Sequence, residues 1–175
     1  MTGTGETAPA STADESAFAA LAEREFAGAY RTALLLLGDT AEAEDAVQEA
    51  LVRAWQRWDQ LRDPGRAGAW FGRILLNACR DRLRAPRREM RWIGDEPAAD
   101  AHSVLAEREA LGAAMRSMNI DQRIVLVLRF YLDLSVAEIA TRTGAREATV
   151  RSRLRLALGA ARAAYEAQDR AGDRR

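Results

Sequence analysis

The sequence predicts an all-α protein of two small helical domains joined by a flexible linker, the second containing a helix-turn-helix. Three observations carry this. Apolar residues recur at helical spacing through most of the 175 residues. No segment sustains an alternation of period two, and β-branched residues are sparse. A stretch rich in proline, glycine and charge divides the helical pattern into two halves.

Residues 1–13 are small and polar and read as a disordered tail. A first helix is expected from about Asp14 to Leu37, with Phe18, Ala22, Phe26, Ala29, Ala33 and Leu37 on one stripe, and Gly38 suits its end. Asp39 with Glu42 has the spacing of a capping box and opens a second helix. There Ala43, Ala46, Val47, Ala50, Leu51, Ala54, Trp55 and Trp58 keep the helical spacing unbroken. "RDPGR" (Arg62 to Arg66) is a turn, and a third helix covers about Ala67 to Arg84. The first domain is thus placed at 14–84 and the linker at 85–103. In the second domain, 104–168, helices are expected from Val104 to Met118 and from Asp121 to Tyr131. A short helix opened by Ser135 and Glu138 and ended by Gly144 follows, then a last one from Glu147 to Gln168, leaving 169–175 as a tail.

The formal net charge of zero hides a strong alternation. Residues 1–59 carry −7, 60–93 carry +6, 94–140 carry −4 and 141–175 carry +5. Two basic blocks between acidic ones indicate two nucleic-acid-facing surfaces and at least one other partner. All 26 basic residues are arginine, a bias that a G+C-rich coding sequence would produce by itself. The single Cys79 cannot form an internal disulfide and reads as a small packed residue, while the single His102 cannot build a zinc site with it. No metal, cofactor or catalytic residue is expected. The longest purely apolar run, Ala33 to Leu37, is far short of the roughly 20 residues that span a bilayer. The N-terminus has no basic start and no apolar core, so a cytoplasmic protein with no membrane contact is expected.

A short helix, a glycine turn and a longer arginine-rich helix form the helix-turn-helix layout. Val136, Ile139 and Ala140 give the first its buried side, and Val150, Leu154, Ala157 and Leu158 the second. Thr149, Arg151, Ser152 and Arg155 are left outward, where such a helix meets the major groove. The two arginines could fork onto guanine, and the hydroxyls suit phosphate or base contacts. By themselves these residues would also suit the wet face of an amphipathic helix; the capped short helix and the glycine before them favour DNA.

"AWFGRILLNACRDRLR" (Ala69 to Arg84) is more distinctive. Arg73, Asn77, Arg80 and Arg84 fall within a narrow arc, opposite Phe71, Ile74, Leu75 and Ala78, and Trp70 projects near its edge. Arginines for phosphates, an amide for a base edge and an indole for stacking suit a DNA strand with an unstacked base, although a solvated helix with a half-buried tryptophan explains this segment alone. Arg82 falls on the apolar side, which implies either a frayed end or a stem along the core with an exposed head. The second helix turns Glu42, Glu44, Asp45, Gln48, Glu49 and Arg53 outward. The helix macrodipole accounts for Glu42 and Glu44 but not for Gln48 and Glu49 two turns in. Such a strip suits docking onto a basic protein surface.

Together these segments resemble bacterial RNA polymerase sigma factors of the sigma-70 family, in particular the two-domain extracytoplasmic-function (ECF) group. "AEDAVQEALVRAW" looks like the core-binding helix of that family, "AWFGRILLNACRDRLR" like its promoter-melting and minus-ten segment, and "LSVAEIATRTGAREATVRSRLRLAL" like its minus-thirty-five helix-turn-helix. The resemblance covers about residues 18–84 and 105–165. It implies that Asp45, Gln48, Glu49 and Arg53 face core RNA polymerase, at the clamp coiled coil of its largest subunit. It places Trp70, Arg73, Asn77, Arg80 and Arg84 at the minus-ten element of promoter DNA, where the family extrudes a base. Thr149, Arg151, Ser152 and Arg155 would lie at the minus-thirty-five groove, and Ala85 to Ser103 would thread toward the RNA exit path. An anti-sigma partner is common in the family, and no residue identifies one. The free chain is expected to be a monomer. Two positions depart from the family: Met118-Asn119 stands where Leu-Pro is common, and Arg155 where some relatives carry an aromatic. A stand-alone helix-turn-helix regulator would explain the second domain but leave the acidic strip and the Trp70/Asn77 arc unused. An enzyme acting on nucleic acid finds no carboxylate pair, metal-ligand cluster or phosphate loop here.

Overall fold

The computed structural model describes residues 12–84 and 111–172. Within them the regular structure is helical: α1 (Thr12–Leu37), α2 (Thr40–Trp55), α3 (Ala67–Arg84), α4 (111–117), α5 (Ile120–Phe130), α6 (Val136–Thr143) and α7 (Glu147–Gly172). The expected linker at 85–103, His102 and the start of the helix expected at Val104 lie outside the described residues, as does the tail up to residue 11. Helix α1 begins at Thr12, inside the expected tail, and α7 runs beyond Gln168 to Gly172.

The first lobe packs α1, α2 and α3 against one another. Its core takes Leu21, Ala33 and Leu36 from α1, Ala43, Val47 and Ala50 from α2, and Phe71, Leu75 and Cys79 from α3. Phe26 was expected in this core but is 46% exposed. It stands about 60° round the helix from Ala29 at 100° per residue, on a side left uncovered. Trp58 does not continue α2 but begins a 3-10 turn, Trp58–Gln60. There it stays half-buried, edge-on to Phe18 at 5.3 Å and to Trp70 at 6.2 Å between ring centroids. Trp55 also meets Phe18, at 5.1 Å, yet lies at the surface.

The second lobe packs α5, α6 and α7 together, with Ile139 of α6 and Val150 of α7 fully buried between them. Ser135 caps α6: its backbone N–H and hydroxyl donate to Glu138 at 2.8 and 2.6 Å, and Glu138 N–H donates back to Ser135 Oγ at 3.3 Å. These bonds, the hydroxyl's foremost, hold the Glu138 carboxyl below its usual range. Gly144 ends the helix in the left-handed region, at φ 69°, which a side chain rarely adopts. Leu158 was expected in this core but is 48% exposed, since it lies about 80° round from Val150 at the edge of the covered arc.

Met118 and Asn119, the departure from the common Leu-Pro, make a sound helix start. Met118 is buried, and Asn119 accepts from Gln122 N–H at 3.0 Å while Gln122 accepts from Asn119 N–H at 2.9 Å. This reciprocal capping satisfies two backbone donors; a proline at 119 would lack its own N–H and offer no side-chain acceptor to that of Gln122. Asn119→Ala should therefore lower the unfolding free energy by about 1 kcal/mol, visible as a reduced midpoint in denaturant with an unchanged slope.

The lobes do not stand apart. Helix α1 meets α5, and α3 meets both α5 and α6. Gly72 of α3 allows a close approach, since a Cβ there would come within 3.3 Å of the Arg142 guanidinium carbon.

Candidate nucleic-acid and protein-docking surfaces

Three surfaces emerge, one on each of α2, α3 and α7. On α2, Glu44, Asp45 and Gln48 are exposed and Val52 beside them is 55% exposed. Asp39 fixes where this face begins, its carboxylate accepting from Glu42 N–H at 2.9 Å. Glu49 and Arg53 belong to a different arrangement. They are ion-paired with each other, Arg53 also reaches Asp81 of α3 at 3.1 Å, and Glu49 receives Arg82 of α3 at 2.9 Å. Arg82 in turn reaches Glu42 at 3.7 Å. A five-residue chain of alternating charge thus joins α2 to α3.

This resolves the position of Arg82. The helix has not frayed there, and the head is not solvated: it turns onto the acidic strip with the side chain 23% exposed. The signal was in the sequence, because an arginine on the apolar side of one helix needs an acid on its neighbour.

On α3, Arg73, Asn77 and Arg84 are exposed and Trp70 is half-buried against Trp58. Opposite them Phe71, Ile74, Leu75, Leu76, Ala78 and Cys79 are buried, so the arginine arc keeps its outward aim. Burial pushes the Cys79 thiol up to about 12, outweighing the nearby Arg82 and Arg80, which leaves it an unreactive packed group. Arg80 is the exception in the arc. Its Nη1 donates to Asn77 Oδ1 at 3.1 Å and its Nε to Asp121 of α5 at 3.2 Å, and only 14% of its side chain is exposed. Trp70 and Arg73 line one wall of a cleft of about 750 Å³, whose other wall is Leu134, Ala137, Glu138, Thr141 and Arg142.

On α7, Thr149, Arg151 and Arg155 are exposed and Ser152 is half-buried. Arg151 is ion-paired one turn back to Glu147 at 2.5 Å, which holds it extended along the helix surface. Arg153 points elsewhere: it meets Asp121 at 2.5 Å. Its position, about 200° round from Arg151, excludes it from the reading arc. Among the described residues no group of three or more His, Cys, Asp or Glu side chains could hold a metal ion, and no helix is long and apolar enough to cross a membrane.

These surfaces sit within two regions matched by known families. Residues 21–89 match sigma-70 region 2, and residues 108–160 match sigma-70, region 4. The chain is 33% identical over 161 residues to the ECF RNA polymerase sigma factor SigL of Mycobacterium tuberculosis, covering 87% of this chain and 91% of that one. It is 35% identical to the ECF RNA polymerase sigma factor RpoE of Cereibacter sphaeroides, over 83% and 84% of the two chains. Among solved structures, CnrH in complex with the cytosolic domain of CnrY superposes with a TM-score of 0.67 at 25% identity, covering 87% of this chain and 90% of that one. The sigma factor RpoE bound to the anti-sigma factor NepR, from Bartonella quintana, shares the fold with a TM-score of 0.61 at 21% identity, over 87% and 93% of the two chains. Both halves match in order and nearly end to end, so the chain belongs to the extracytoplasmic-function RNA polymerase sigma factors, which direct the polymerase to promoters.

Proposed function

We propose that the three surfaces divide the work of initiation. The exposed part of the α2 strip, Asp45 and Gln48 with Glu44 beside them, docks onto core polymerase. Glu49 and Arg53 support that strip and add a weaker contact of their own. The α3 arc, with Trp70, Arg73, Asn77, Arg80 and Arg84, takes the minus-ten strand. Thr149, Arg151, Ser152 and Arg155 of α7 enter the minus-thirty-five major groove. The first domain is assigned to residues 14–84 and the second to 104–168, with 85–103 as the linker. The protein acts in the cytoplasm by binding and melting, without covalent chemistry of its own. CnrH is held by the cytosolic domain of a second protein; a comparable partner is proposed for this chain.

The observation that supports this reading best is the separation of charge by helix. An acidic face on α2 and arginine faces on α3 and α7 suit one protein partner and two stretches of DNA. Each lobe offers only a small interface, so free sigma should bind promoters weakly. Tethering both lobes to one polymerase makes the second contact intramolecular and raises apparent affinity by roughly 10²–10⁴. Run-off transcription with purified core polymerase on genomic fragments tests the assignment and yields the promoter. Absence of association with core, together with tight operator binding by the chain alone, would replace it with an ordinary regulator.

Asn77→Ala should impair open-complex formation more than initial duplex binding, because a base-edge contact matters once the strand is unpaired. Permanganate footprinting of the bubble should show weaker reactivity; an unchanged footprint would remove Asn77 from the minus-ten set.

A further inference from the structure

We propose that Asp121 is an intramolecular latch. Its carboxylate occupies Arg80 in place of a DNA phosphate and thereby holds the free chain in a closed form that cannot engage the minus-ten strand fully.

The proposal rests on the minus-ten reading of Arg80. Asp121 lies in the first turn of α5, in the second lobe, yet its Oδ1 receives Arg80 of the first lobe at 3.2 Å. Its Oδ2 receives Arg153 of α7 at 2.5 Å. One carboxylate therefore ties two guanidiniums from different lobes, with 28% of the Asp121 side chain exposed. A carboxylate and a phosphate are both anionic acceptors suited to arginine, so Asp121 competes with a phosphate for the Arg80 Nε–H. Two further contacts close the same seam. Arg142 packs over Gly72, and Trp70 and Arg73 line the cleft beside it, so three members of the arc border the second lobe. Closure thus withholds Arg80 from a DNA strand along α3 and narrows the approach to Trp70 and Arg73, while Asn77 and Arg84 stay exposed. Binding both lobes to a polymerase that separates them would free Arg80 as it becomes useful. Arg153 anchors Asp121 from its own lobe, which keeps the latch aimed when the lobes part.

The test uses the full chain. Cysteines introduced by Arg31→Cys on α1 and Arg162→Cys on α7 carry a fluorescent donor and acceptor; both positions are exposed, and the buried Cys79 thiol stays unlabelled. In this background Asp121→Asn keeps the shape of the side chain and removes its charge. It should lower transfer efficiency and tighten binding of a short mixed-sequence single-stranded DNA roughly tenfold, the scale of one charge-assisted hydrogen bond acting through the open fraction. Arg80→Ala should lower transfer just as much without tightening the DNA. Unchanged transfer in Asp121→Asn at low salt overturns the latch. Opening without a gain in DNA binding overturns the competition with phosphate. Circular dichroism melting of each variant separates opening from unfolding. Failure of the sigma assignment itself would show differently, as loss of association between the unsubstituted chain and core polymerase.

Discussion

Replacing Arg151 and Arg155 together with alanine is expected to weaken promoter selection by about 2–6 kcal/mol, or about 1–3 kcal/mol for each guanidinium that reaches a base edge. Binding to core polymerase should not change. Both side chains are exposed one turn apart on α7, and neither contributes to the Ile139–Val150 core that holds α7 against α6. The substitutions therefore remove contacts without removing the helix; alanine is the best helix former available. The two effects should differ. Arg151 must leave Glu147 to reach a base, which offsets its contribution by about 0–1 kcal/mol for an exposed pair. Among the described residues Arg155 has no such ion-pair partner, so Arg155→Ala should be the more damaging single change. Competition between a specific and a scrambled template in run-off transcription measures the loss. Equal loss on both templates would mean that the arginines contact only phosphates, and the reading role would pass to Thr149 and Ser152.

Much of this molecule was legible in the sequence because helical periodicity and capping chemistry are local. Ser135 with Glu138, Gly144, and the polar arc of α3 all follow from residues within one or two turns of each other. What escaped was what depends on neighbours far along the chain. Arg82 reads as misplaced until α2 is laid beside α3 and Glu42 and Glu49 come within reach. Phe26 and Leu158 sit at the edges of their apolar arcs, where burial depends on how far a partner helix extends. Asp121 and Arg153 are 32 residues apart and Arg80 is 41 residues from Asp121, so no spacing rule could join them. Of the proposed site residues, Thr149, Arg151 and Arg155 of α7 and Arg73, Asn77 and Arg84 of α3 are exposed, while Ser152, Trp70 and Arg80 are half-buried. Glu49 and Arg53 of the α2 set prove to be engaged within the protein, which changes what their substitution should do.

Charge reversal on α2 separates docking from support. Asp45→Arg alters an exposed position, so stability should stay within about 0.5 kcal/mol of the unsubstituted chain. Affinity for core polymerase should fall at least tenfold, about 1.4 kcal/mol, through like-charge contact with a basic surface. Glu49→Arg should lower both quantities. Glu49 lies between Arg53 and Arg82 with a third of its side chain exposed, so reversal sets three guanidiniums together. Breaking a fully buried pair typically costs about 3–5 kcal/mol; solvent access here reduces the expected loss of stability to about 2 kcal/mol. The loss should also register on DNA, because the same chain of charges sets how α3 lies against α2. Adding Arg82→Glu to Glu49→Arg restores an opposite pair across the two helices. Stability and DNA binding should then recover in part, since Arg53 and Glu42 now face like charges, while polymerase binding stays weak because the strip remains one acid short and one arginine over. If the double substitution restored polymerase binding in full, Glu49 would act only by holding α3, and Asp45 with Gln48 would carry the docking contact alone.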